Sequence, residues 1–133
     1  YLLDWRQNFG GIKEYGDVYY DLAKILHGLE VSHELINKNH FSVCKNNNIT
    51  RFDLYRKYSL VENEKMFMDF LKMNNFDIQK VRILTSLVYL NIAPLHHYPY
   101  NLLLFHLGKF NLYTLLKEKV WQKYLSDQWV KIL

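Results

Sequence analysis

Apolar residues recur at helical spacing along most of this chain. In VYYDLAKILHGL they fall at Val18, Leu22, Ile25, Leu26 and Leu29, which puts them on one face of a helix. Asp17 precedes the run as a candidate N-cap, because its short carboxylate accepts from the exposed amides of a first turn. Gly28 lies near the end of the run. Before it, Tyr1-Leu2-Leu3-Asp4 reads as the end of a buried strand, and residues 5–16, with Gly10, Gly11 and Gly16, read as a loop.

Residues 30–50 show no clean period. SHELINKNHFSV reads as a short helix or an excursion, and CKNNNIT as a hairpin tip or an exposed loop. From residue 51 the pattern is helical again. VENEKMFMDFLKMNN places Met66, Phe67, Phe70, Leu71 and Met73 on one broad face, expected to be core. Asn74-Asn75 breaks this helix and Asp77 is placed to cap the next. In IQKVRILTSLVYLNIA, Val81, Leu84, Leu87, Val88, Leu90 and Ile92 leave the second half apolar nearly all round, the mark of a central helix. Pro94 ends it, since the residue before a proline is disfavoured in a helix. LHHYP is a connector, and YNLLLFHLGKFNLYTLLKEKVWQKYL is one long helix, or two bent near Gly108.

The expected fold is therefore all-α or mainly α, one helical domain over residues 1–133, with a short strand or hairpin at residues 1–12. The expected core is Leu22, Ile25, Leu26, Phe67, Phe70, Leu71, Leu84, Leu87, Val88, Leu103, Leu107 and Leu115. Composition agrees: half of the residues are hydrophobic, and eleven Tyr, eight Phe and three Trp supply large area per side chain.

The net charge of +4 is mild, and its lysines and arginines are interleaved with acids. A nucleic-acid groove needs a one-signed stripe, so no nucleic-acid partner is expected. No continuous apolar run reaches the ~18 residues that a membrane span needs; the longest candidate, residues 83–95, is too short and contains Pro94. The single cysteine, Cys44, excludes an internal disulfide and fits a reducing cytoplasm.

Among residues able to do chemistry, Asp4 follows an apolar strand and precedes a glycine-containing loop. A carboxylate there is a hard oxygen ligand suited to Mg²⁺, although aspartates that merely end strands are common. Asp17 and Asp21 stand four apart at the start of a helix. His96-His97 lie in a connector, and adjacent histidines on an extended chain point apart. No zinc-binding spacing and no Gly-x-Ser-x-Gly elbow occur. Gly10-Gly11 lacks the spacing and lysine of a phosphate-binding loop.

Leu2-Leu3-Asp4, the glycine-containing loop and Gly16-Asp17-Val18-Tyr19-Tyr20-Asp21-Leu22-Ala23 together resemble the C-terminal lobe of the aminoglycoside phosphotransferase and choline kinase superfamily, small-molecule relatives of protein kinases. The stretch is most similar to bacterial members associated with capsule or surface-polysaccharide biosynthesis, which read Ile-Asp-Pro-Arg-Gly, then Gly-Asp, then Tyr-Asp-Leu-Ala-Lys-Leu. Trp5 replaces the usual proline and Arg6 remains. The likeness covers residues 2–29, and more weakly 91–109.

The resemblance implies an ATP-dependent phosphotransferase with a sugar, amino alcohol or choline-like acceptor. Asp4 would hold the Mg²⁺ that bridges the nucleotide phosphates, while Asp17 and Asp21 would buttress the catalytic loop. Arg6 would pair with an anionic group or a surface acid. Trp5 and Tyr98 would stack on the acceptor or pack in the core. The family also needs a His-Gly-Asp-x-x-x-x-Asn loop and a nucleotide-binding lobe before the metal aspartate, and this sequence has neither. The chain is thus expected to be a fragment of a longer kinase-like protein, with no tight nucleotide binding and no turnover alone. A helical interaction module and an inactive kinase-like scaffold are the alternatives.

Overall fold

Asp17 starts the first helix as its residue type demands. The computed structural model describes residue 11, residues 16–47 and residues 49–130, with side chains described as far as residue 117. Asp17 is extended, with φ −90° and ψ 113°, and its Oδ1 accepts from the Tyr19 amide at 2.9 Å. That bond satisfies one of the donors a helix start leaves open. Helix α1 then runs Val18–Glu30. Ser32 caps a short second helix, α2 (His33–Asn37), by accepting from the Leu35 amide.

The stretch without a clean period resolves as that helix followed by a hairpin. Strand β1 (Phe41–Asn46) pairs antiparallel with β2 (Ile49–Leu54), Phe41 opposite Leu54 and Cys44 opposite Arg51. Asn47, at the tip, has φ 52°, a left-handed conformation that asparagine tolerates. CKNNNIT is therefore the hairpin tip. The fold is mainly helical with one two-stranded hairpin. The strand and hairpin expected at residues 1–12 lie outside the described residues. The helix expected from residue 51 is corrected. Phe52 and Leu54 are half-buried while Arg51 and Asp53 are exposed, the alternation of a strand, and the helix begins only at Tyr58.

Helix α3 (Tyr58–Met73) ends at Asn74, with Asn75 at φ 57°. Asp77 caps α4 (Ile78–Ile92) by accepting from the Lys80 amide at 3.0 Å. Pro94 falls in a 3₁₀ turn, Ala93–Leu95, that closes α4. Helix α5 (Tyr100–Val130) is continuous through Gly108. The glycine serves packing rather than bending: a Cβ there would meet the Ser86 carbonyl oxygen at 2.8 Å and the Tyr89 Cβ at 2.9 Å. Its missing side chain lets α5 lie against α4.

Helix α4 is central, packed on α1 on one side and α5 on the other. One buried cluster joins Val31, Ile36, Tyr89, Ala93, Tyr100, Leu103 and Leu104, with Phe41, Val43, Phe52 and Leu54 of the hairpin packed against it. A second joins Leu22, Leu26, Leu71 and Val81, flanked by Tyr19, Phe67 and Phe76. Of the expected core, Leu22, Leu26, Leu71, Val88, Leu103 and Leu115 are buried, and Phe67, Leu84 and Leu107 are half-buried. Ile25, Phe70 and Leu87 are exposed instead. They lie on helix faces that no described element covers, because a periodic stripe states that a face is apolar without supplying its neighbour.

Candidate functional site

The two ends of α1 carry different chemistry. At its N-terminal end, Asp17 accepts from the Tyr19 amide through Oδ1, and Lys80 Nζ lies 3.9 Å from Oδ2. The same ammonium sits 3.9 Å from the centroid of the Tyr19 ring. The Tyr19 hydroxyl in turn accepts from the Asp77 amide at 3.2 Å. The starts of α1 and α4 are thereby tied together. Asp21 follows in the first turn of α1 and is half-buried, on the same side of the helix as Asp17 by its spacing of four.

Asp4, Trp5 and Arg6 lie outside the described residues. Tyr98 stands in the connector before α5 with 74% of its surface exposed, so its expected alternative as core packing is corrected. A ring on a short connector that no described element covers has nothing to pack into. The paired histidines flank the ring of Tyr100: His96 at 4.8 Å and His97 at 6.4 Å between centroids. Among the described residues, no group of three His, Cys, Asp or Glu side chains converges as a metal site.

Buried polar groups gather at the C-terminal end of α1. Glu30, its last residue, accepts from the Tyr89 hydroxyl of α4 through Oε2 at 2.6 Å. Burial pushes the Glu30 carboxyl above the usual range. The Tyr89 hydrogen bond opposes this, Glu64 adds to it, and Arg56 and Arg82 draw it back down. Tyr89 is pushed far up by burial and by the Glu30 charge, so it stays a protonated donor. Arg56, in the connector between β2 and α3, donates to the Glu64 carboxylate of α3 and, at 3.1 Å, to the Leu29 carbonyl oxygen near the end of α1. His27, one turn earlier, packs its ring on Tyr89 at 5.0 Å. It is buried, and its Nε2 has no partner among the described residues. Burial, then the Lys24, His33 and His96 charges, lowers its pKa from 6.5 to about 4.

Of these groups, Glu30, Glu64 and Arg82 border a cleft of about 210 Å³ between the end of α1, α3, α4 and α5. Its walls are Glu30, Glu64, Arg82, Thr85, Ser86, Phe110, Asn111, Thr114 and Leu115. Thr85 donates to the Val81 carbonyl oxygen at 2.9 Å and Ser86 to that of Arg82 at 2.9 Å, so both hydroxyls keep lone pairs as acceptors. The sequence reading missed this cleft. Its residues come from separate elements, and each alone reads as an ordinary polar position on a helix. The only available signal is the pair Thr85-Ser86 inside an otherwise apolar run.

Compared with known proteins, the chain matches no family model, and neither a curated protein nor a solved structure matches it. Among the described residues, no helix is long and apolar enough to cross a membrane.

Proposed function

We propose that the chain is the C-terminal helical part of an ATP-dependent small-molecule phosphotransferase that acts on a sugar, amino alcohol or choline-like acceptor in surface-polysaccharide metabolism. The reading rests on one observation. Leu2-Leu3-Asp4 is followed by Gly16-Asp17-x-x-Tyr20-Asp21-Leu22-Ala23, in which Asp17 caps α1 and Asp21 is half-buried one turn on. In this reading Asp4 holds Mg²⁺, which when bound neutralises charge on the nucleotide phosphates. Asp17 and Asp21 support the backbone of a catalytic loop, and Arg6, Trp5 and Tyr98 face the acceptor. Asp4, which lies outside the described residues, carries the metal part of the proposal. A free, exposed Cys44 is compatible with a cytoplasmic setting.

The test is a phosphate-transfer assay on the full-length protein against sugars, amino alcohols and choline, comparing wild type with Asp4→Asn. The amide keeps the shape but is a poor Mg²⁺ ligand, so kcat should fall by roughly 10² or more. Equal turnover by the two proteins overturns the assignment. A second reading, a non-catalytic interaction module, is favoured by the exposed apolar side chains of α3, Met66, Phe70 and Met73. An inactive wild-type protein that binds a macromolecular partner through that helix would replace the first reading.

A further inference from the structure

We propose that the cleft between the end of α1, α3, α4 and α5 binds a neutral, polyhydroxylated ligand of monosaccharide size. The inference stands apart from phosphoryl transfer, since none of its residues belongs to the Asp4, Asp17 and Asp21 set.

Charge decides the class. Glu30 and Glu64 on one wall are balanced by Arg56, bound to Glu64, and by Arg82. An anion that approaches Arg82 meets two carboxylates, and a cation that approaches Glu30 meets two guanidinium groups. A hydroxyl both donates and accepts, so it satisfies either wall without carrying charge into the cleft. Two planar groups are available for it. The Arg82 guanidinium and the Asn111 side-chain amide line the cleft, and neither makes a hydrogen bond or ion pair with another described residue. Each presents polar atoms side by side, the arrangement that matches vicinal hydroxyls. Glu30 is already held through Oε2 by Tyr89, which leaves Oε1 as an acceptor on a positioned side chain.

Shape and surface agree with this chemistry. The volume of about 210 Å³ lies below the ~300–1,000 Å³ of drug-sized pockets, so it suits a single ring. Phe110 is 58% exposed at the cleft, and its ring meets that of Phe52 edge-to-face at 6.2 Å between centroids. An aromatic face of this kind packs against the C–H face of a sugar ring while the hydroxyls turn to the polar wall.

The experiment is an NMR titration of the isotope-labelled chain with glucose, galactose, mannose and N-acetylglucosamine, with choline and inorganic phosphate run alongside. At least one of the neutral sugars should shift the Asn111 side-chain amide saturably, with Kd about 1 mM or tighter. Arg82→Gln and Asn111→Ala should each weaken that binding about tenfold or more, while the thermal transition stays in place because neither residue is in the core. Three outcomes overturn the proposal: no sugar saturates; choline or phosphate binds while the sugars do not; or both variants bind a sugar as wild type does.

Discussion

Helices α3 and α4 look alike in sequence and behave differently in the fold. Both carry apolar residues at helical spacing, and α3 holds the larger side chains. Yet on α3 only Leu71 is fully buried, while Met66, Phe70 and Met73 are 69%, 47% and 82% exposed. On α4, Val81, Thr85, Ser86, Val88 and Tyr89 are all buried, two of them polar. The difference lies in the neighbours. Helix α4 lies between α1 and α5, so groups on two of its sides are removed from water, and its hydroxyls are satisfied by carbonyl oxygens. Helix α3 rests chiefly on α1 and has one covered side. Burial thus follows the number of packed faces rather than the size of the apolar residues, which also explains why Leu87, on the open side of α4, remains 44% exposed.

The strongest way to break this comparison is in the α4–α5 contact. Leu103 is fully buried against the Tyr89 cluster, so Leu103→Ala should cost about 2–5 kcal/mol in urea unfolding. A cost under about 0.5 kcal/mol, that of a typical surface change, would mean α5 does not close the core.

The α1–α4 contact is sharpened by pH. His27 is held neutral against Tyr89, with its pKa lowered from 6.5 to about 4. As pH falls from 6.5 to about 4, the unfolded chain takes up a proton at this position and the folded chain does not. Stability from His27 is therefore complete above 6.5 and is lost across that window, by about 3 kcal/mol in all. Glu30 acts in the opposite sense. Its raised carboxyl favours the folded state at low pH, and that contribution is lost as pH rises through its folded value. Urea unfolding across the window should show His27→Phe losing less stability than wild type. Parallel curves for the two proteins would remove His27 from the buried contact.

The smallest effect is expected on the outer face of α3. Met73→Ala should change stability by no more than about 0.5 kcal/mol, whereas Leu71→Ala, two residues earlier, should cost about 2–5 kcal/mol. Similar costs at both positions would show that the outer face of α3 is covered in solution and that the contrast with α4 fails.

The legible parts of this protein are the places where a few adjacent residues decide the outcome. Asp17 and Asp77 cap helices because a carboxylate reaches amides two or three residues on, Asn74-Asn75 stops α3, and Pro94 stops α4. The stretch from residue 51 reads as helix in sequence because the short alternation of Phe52 and Leu54 at the foot of a hairpin resembles the start of an apolar helix face. Of the candidate site, the cap role of Asp17 and the half-burial of Asp21 follow from their place in α1.

Local chemistry therefore set where α1 and α4 begin and where α3 and α4 end, since capping and chain breaking act within a single turn. Only the tertiary structure decided which apolar stripe was covered, that Gly108 marks a close approach of α5 to α4, and that Glu30, Glu64, Arg82 and Asn111 share one cleft. Those four residues come from α1, α3, α4 and α5. Their proximity depends on how whole helices pack, a relation between distant segments that no periodicity within one segment encodes.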